Sequence, residues 1–354
     1  MENVLIAIAK QANLDRILFT PGLKKMYFEM ALASGGATQF KHADTIRNGL
    51  TFIADKADDN KRVLLFCSAH ELIHGYDLLL KIAADLLPVV VLAVREGSGN
   101  ENWSFTQLGG NGWMQFHTHT RQEAYDHLAL AYAMFEEKQI RIPVLILHSS
   151  LKHTALGSFA VKEDLDLGNP LTGLQTSRVE RKMDFEAALA AMKKKKEKPT
   201  LTGMYHELLP VLRRMYELVG YALPASGLPF RGRVTEGDTA VISLLPSAEE
   251  KEESGSPLRL LCYRPFSVEA LMPWIETKKL IVIVEPNPTP GVTIPPFYAE
   301  IRGSLGSEFS GKVISICAPP GVGVLNERER NVIDGIVEEY LRNAGPTLFF
   351  SLKE

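Results

Sequence analysis

Short unbroken apolar runs alternate along this chain with longer stretches in which apolar residues recur every three to four positions. Up to about residue 160 the runs are RILFT (16–20), RVLLFCS (62–68), PVVVLAVR (88–95), WMQFHT (113–118) and PVLILHS (143–149), and each reads as a strand. Between and before them, NVLIAIAKQAN (3–13), GLKKMYFEMALAS (22–34), ADTIRNGLTFIADKA (43–57), HGYDLLLKIAADL (74–86) and QEAYDHLALAYAMFEEKQI (122–140) read as helices. Apolar strands separated by amphipathic helices predict a parallel sheet covered on both faces. Residues 1–165 are therefore expected to form one α/β domain.

From 166 to 235 that alternation lapses. VERKMDFEAALAAMKKKKEKP (179–199) and MYHELLPVLRRMYELVG (204–220) read as helices and PASGLPFRG (224–232) as an irregular connection, which together predict a helical linker. From 236 onward the alternation returns: strands DTAVISLL, PLRLLCYR, KLIVIVEP, KVISICAPPG and TLFFSL, with helices SVEALMPWIET and ERERNVIDGIVEEYLRNA. The expected architecture is α/β, two α/β domains (1–165 and 236–354) with mostly parallel sheets. The acidic stretch SAEEKEESGSP (247–257) falls where such a domain has a helix or loop. The run Lys193–Lys196 has two readings: a docking patch for an acidic partner, or the commoner one, a solvated helix end whose cations suit the helix dipole.

Composition narrows the function classes. With 354 residues, 45% hydrophobic and 23% charged, the chain is long enough for two proper cores. A net charge of -3 gives no basic field to gather nucleic acid or an anionic membrane, so neither is expected as a partner. The N-terminus has an acidic residue at position 2 and no basic start, and no run approaches the roughly 18 apolar residues of a membrane span, so a cytoplasmic protein is expected. Cys67, Cys262 and Cys317 lie far apart with no CxxC pair, which argues against an iron–sulfur cluster or structural zinc of the chain's own. There is no P-loop and no G-x-S-x-G elbow, and GSGNEN (97–102) lacks the third glycine of a dinucleotide fingerprint. His117 and His119 in FHTHT share a strand face that could suit a metal, but no third ligand is near; no metal site is expected.

Ligands of open α/β sheets bind outside the carboxyl ends of the strands. Polar groups gather at those ends: Thr20 after RILF, Ser68, His70 and Glu71 after RVLLFC, Arg95 and Glu96 after PVVVLAV, and His148, Ser149 and Ser150 after PVLIL. Arg95 is the most pointed, because a guanidinium fork matches a substrate carboxylate. The plainer reading is that it pairs with Glu96 or with another chain.

Taken in order, LFTPG, LLKIAADLLPVVVLAVR, QIRIPVLILH, LLCYRPFSVEAL and TKKLIVIVEPNPTPG resemble the pyrimidine-binding domain and the following domain of pyruvate:ferredoxin oxidoreductase, and the helical linker resembles that family's bridge. The resemblance runs from about residue 4 to the end and fits the family's alpha-type subunit. It implies a pyrimidine-type thiamine diphosphate domain followed by a transketolase C-terminal-like domain. It implies oxidative decarboxylation of a 2-oxo acid to acyl-coenzyme A, with ferredoxin or another acceptor taking the electrons. Thiamine diphosphate would be shared with a beta-type subunit; magnesium and iron–sulfur clusters would belong to partner chains, among them gamma-type and ferredoxin-like subunits.

By motif, Thr20 and Arg95 match the family's substrate-holding threonine and arginine, and Ser68 stands at a cofactor-side turn. Two departures stand out. KHADTIRNG replaces the segment carrying the glutamate that activates the cofactor, so that either Asp44 or Ala43 falls at its position. SAHEL replaces a small-residue turn, so that His70 and Glu71 either supply acid–base groups or fill the site. If cofactor activation is lost, the alternative is a noncatalytic scaffold subunit of the same kind of complex.

Overall fold

The computed structural model describes residues 1–33, 39–59, 61–95, 108–136, 142–149, 161, 230–231, 237–245, 257–264, 268–286, 294–306, 309–319, 322, 325–343 and 349–352. The expected linker helices, Lys193–Lys196, Glu96, Ser150, GSGNEN and most of the acidic stretch lie outside them. The described residues form two units, one comprising 1–95, 108–149 and 263–264, the other most of the remainder from 230 onward.

In the first unit the elements are α1 (Glu2–Gln11), β1 (Arg16–Phe19), α2 (Lys24–Ala33), β2 (Gln39–His42), α3 (Ile46–Asp58), β3 (Val63–Ser68), α4 (Tyr76–Ala84), β4 (Val90–Arg95), β5 (Met114–Thr118), α5 (Arg121–Glu136) and β6 (Val144–Ser149). Its sheet has seven strands in the order β10-β5-β6-β4-β3-β1-β2, where β10 is Cys262–Arg264. The pairs β1–β2, β1–β3, β3–β4, β4–β6 and β5–β6 are all parallel. Every residue of β3, β4, β5 and β6 is buried, which is why their sequences are apolar without alternation. Removing a valine, leucine or isoleucine side chain of this kind from water contributes about 1.5–3 kcal/mol, so these strands fix the sheet. Trp113 donates its indole N–H to the Leu79 carbonyl (2.8 Å), tying α4 to the start of β5.

The second unit holds β7 (Phe230–Arg231), β8 (Thr239–Ser243), β9 (Leu258–Leu260), α6 (Val268–Ile275), β11 (Leu280–Pro286), α7 (Pro296–Leu305), β12 (Lys312–Ala318), α8 (Glu327–Asn343) and β13 (Phe349–Ser351). Its sheet runs β13-β12-β11-β8-β9-β7, parallel except for β7 against β9. Val282, Val284, Ile314, Ile316, Leu325 and Ile333 are at its core.

The α/β architecture with two mostly parallel sheets is as the sequence predicts. Four elements differ, the first being β7, which forms from Phe230–Arg231 of the expected irregular connection by pairing with β9. PLRLLCYR is not one strand: it breaks at Leu261, β9 joining one sheet and β10 the other. The polar segment QFKH forms the edge strand β2, and PFYAEIRGSL forms helix α7, entered through Pro295 and Pro296 and ended at Gly306 with φ 63°. Proline is tolerated in the first turn of a helix, where its missing N–H is not needed, and glycine suits the left-handed backbone at the end.

Candidate functional site at the carboxyl ends of the first sheet

The six strands β1 to β6 of the first sheet pair in parallel, so their carboxyl ends form one row that includes Thr20, Ser68, Arg95, His148 with Ser149, and Thr118. Chain order sets where that row opens. From β1 the chain goes to the edge strand β2; after β2 it crosses back over β1 to β3, and then on to β4. The connections leaving β1 and β3 therefore diverge, and the crevice between these two ends is the topological switch point.

Thr20 closes β1 in extended backbone (φ -87°, ψ 168°), and its N–H donates to Phe66 of β3. It is wholly buried. Pro21–Leu23 make a short 3-10 turn next, with proline at its start. On the other side of the crevice, Ala69–Gly75 form a 3-10 segment whose N-cap is Ser68 and whose third residue is Glu71, a capping box.

Glu71 reaches across the crevice. Its Oε2 accepts the Thr20 hydroxyl and the Ser68 N–H (3.0 Å), and its Oε1 accepts the Gly22 N–H (3.1 Å). Gly22, which the sequence did not single out, permits this approach: a Cβ there would lie 3.2 Å from Glu71 Oε2. Cys67, beside this group and fully buried, has its thiol pKa pushed well up, by burial first and then by the charge of Glu71.

Successive strand residues alternate faces, and directly paired residues share one. The register Cys67↔Ala93, with Arg95 two residues on and paired to Ser149, puts Arg95 and Ser149 on the face that carries Cys67. Thr20, in extended backbone one step beyond the Phe19↔Phe66 pair, falls on that face too. Arg95 is buried at 6% exposure. His117, in register with Leu147 and through it with Ala93, is on that face too and packs on Tyr263 with ring centroids 5.4 Å apart. Arg264, from the YRPFS segment, braces this edge through a bond to the Gly109 carbonyl (3.0 Å) and lies over the Tyr263 ring.

His148 faces the other way, in register with Val94 and Thr118. Its Nδ1 is 3.0 Å from the Thr118 hydroxyl, and its Nε2 is buried with no hydrogen-bond partner among the described residues. Burial, reinforced by the neighbouring His119, drives its pKa down to about 3, with Glu123 opposing; it is a neutral imidazole.

Asp44 and His70 stand apart from this group. Ala43, whose N–H donates to the Phe19 carbonyl (2.8 Å), is buried, whereas Asp44 is exposed just before Thr45, the N-cap of α3. His70 is exposed and packs edge-on to His74, ring centroids 5.7 Å apart. The structure thus joins Thr20, Ser68 and Glu71 directly, puts Arg95 on the face of Thr20, and leaves Asp44 and His70 toward solvent. Among the described residues no three histidine, cysteine, aspartate or glutamate side chains come together as a metal site, and no helix is long and apolar enough to cross a membrane.

Among solved structures the chain resembles a 2-oxoglutarate:ferredoxin oxidoreductase from Magnetococcus marinus, determined with 2-oxoglutarate, coenzyme A and succinyl-CoA bound. The two share a fold. The TM-score is 0.54 at 12% identity, over 96% of this chain and 64% of that one. This chain thus spans somewhat under two thirds of the neighbour's length. No protein-family model and no curated protein matches the sequence.

Proposed function

We propose that this chain is the alpha-type subunit of a thiamine-diphosphate-dependent 2-oxo acid:acceptor oxidoreductase, active only with a partner subunit. The observation that carries the reading is the buried Arg95 on the same sheet face as Thr20, next to the switch point of a sheet that shares the fold of a 2-oxo acid oxidoreductase. A guanidinium fork there suits the carboxylate that leaves as carbon dioxide, and a hydroxyl suits the neighbouring carbonyl. Holding the carboxylate orients the scissile bond; the hold must not favour the ground state over the transition state, or it slows the reaction.

Thiamine diphosphate, when bound, supplies a nucleophilic carbon and an electron sink. On this chain the residue that fits its pyrimidine ring is Asp44, an exposed carboxylate with no hydrogen bond or ion pair among the described residues. Asp44 would hold a proton at the ring nitrogen. The diphosphate, its magnesium ion and the clusters would sit on partner chains. Coenzyme A and ferredoxin, or another acceptor, would complete the reaction.

Co-expression with a thiamine-binding subunit, followed by assay of 2-oxo acid- and coenzyme A-dependent viologen reduction, tests the proposal. Reduction that requires this chain is expected. An assembled complex that binds the cofactor and reduces nothing with any of a panel of 2-oxo acids would overturn it.

One observation favours a second reading, a noncatalytic scaffold subunit. The Thr20 hydroxyl has a single proton, and that proton is given to Glu71.

A further inference from the structure

The capping box accounts for only one of the three hydrogen bonds that Glu71 accepts. Capping the 3-10 segment requires the Ser68 N–H alone. The Thr20 hydroxyl and the Gly22 N–H belong to the far side of the crevice, 51 and 49 residues away in sequence, and add nothing to that cap. Three donors from two strand ends thus converge on one carboxylate.

We propose that Glu71 is a built-in occupant of a carboxylate position between β1 and β3, and that a small carboxylate ligand reaches Thr20 only by displacing it. For the identity of the ligand this rests on the oxidoreductase reading, which makes it a 2-oxo acid. The geometry itself does not depend on that reading.

Thr20 is 0% exposed while Glu71, on its hydroxyl, is partly exposed. The hydroxyl's proton is committed to Glu71, so it can offer an incoming carbonyl or carboxylate only lone pairs. Two carboxylates cannot share the donors at hydrogen-bond distance, because like charges so close repel strongly away from bulk water. Glu71 and the ligand are therefore alternatives. Gly22 has the fit of a seat for this carboxylate, since any side chain there would press on Oε2 and Cδ at 3.2–3.3 Å.

This assigns the SAHEL replacement a role: it closes the crevice from within and makes binding conditional on a rearrangement. A ligand whose competent state is fractionally populated loses apparent affinity in proportion to that fraction.

The test uses the full chain, with acetate and pyruvate as probes, acetamide as the uncharged control, and sodium chloride matched for ionic strength. The backbone amide resonances of Gly22 and Ser68 report the donors directly. In Glu71→Ala these resonances should shift on loss of the carboxylate. Acetate and pyruvate should then restore them saturably, with affinity about tenfold or more above that for wild type, and acetamide should not. The proposal is overturned if folded Glu71→Ala ignores both carboxylates, or if wild type binds them equally well.

Glu71→Gln, which keeps the size of the side chain and removes its charge, gives the same comparison should Glu71→Ala not fold. Acetate rescue involves no turnover, so failure of the oxidoreductase reading looks different: rescue by carboxylates, with no viologen reduction by the assembled complex.

Discussion

At His148 burial outweighs the charges around it. The unfolded chain would take up a proton at this residue as pH falls through the ordinary histidine range, while the folded chain resists until about pH 3. The unfolded state therefore binds more protons in that window, and the contribution of His148 to stability, complete above about pH 6.5, is lost progressively on acidification. Glu285 acts with the opposite sign. It accepts the Phe297 and Tyr298 N–H groups at the start of α7 and the Ser315 hydroxyl, yet burial raises its pKa to about 7, so its contribution is full below about pH 4.5 and declines toward pH 7. Urea titrations of wild type and His148→Gln should isolate the first term. The stability difference between them should shrink by a few kcal/mol from pH 7 to pH 4, and a constant difference would refute it. Arg95→Met in the assembled complex should raise KM for the 2-oxo acid by about 10- to 100-fold with a smaller change in kcat, the signature of a lost charge-assisted bond that holds substrate. Arg95 was legible as a candidate because a charge ending an apolar strand is conspicuous. For Glu71 only the Ser68-x-x-Glu71 cap is local; its bond to Thr20 spans 51 positions and no pattern in the string records it.

Helix and strand boundaries followed the sequence where burial was uniform and failed where it was not. β3, β4 and β6 are buried at every position, and their apolar runs declare them. β2 is four residues at a sheet edge, with Lys41 and His42 among them, and among the described residues it pairs with β1 alone, so composition carries almost no signal. Likewise the break at Leu261 leaves the run PLRLLCYR apolar on both sides, because each half is buried in a different sheet. Two substitutions test how elements are held. Thr45 caps α3 by accepting the Asn48 N–H (3.1 Å), and Thr45→Ala should cost about 1 kcal/mol in chemical denaturation. Gly75 ends the 3-10 segment that carries Glu71, and a Cβ there would lie 2.5 Å from Leu50 Cδ1 on α3. Gly75→Ala should cost about 1–3 kcal/mol by overpacking, more than the exposed cap; the reverse order would mean that α3 shifts freely.

At the scale of the whole molecule, the proposed function assigns cofactor activation in this chain to Asp44. Asp44 is the acid that its sequence and exposure offer. Asp44→Ala in an assembled, cofactor-loaded complex should lower kcat by about 100-fold or more while leaving assembly by native mass spectrometry unchanged. Full activity would assign Asp44 no part in activation and favour the scaffold reading. What the sequence determined by itself was the fold class, two α/β domains with mostly parallel sheets, and the row of polar residues at strand ends. Both follow from local rules, hydrophobic period and the step from apolar to polar, which are written in neighbouring residues. Only the tertiary structure decided the strand order, the crevice between β1 and β3, and the crossing of Glu71 to Thr20 and Gly22. Those depend on which strands pair, a long-range choice made by packing, and that choice turns a local helix cap into the occupant of the crevice.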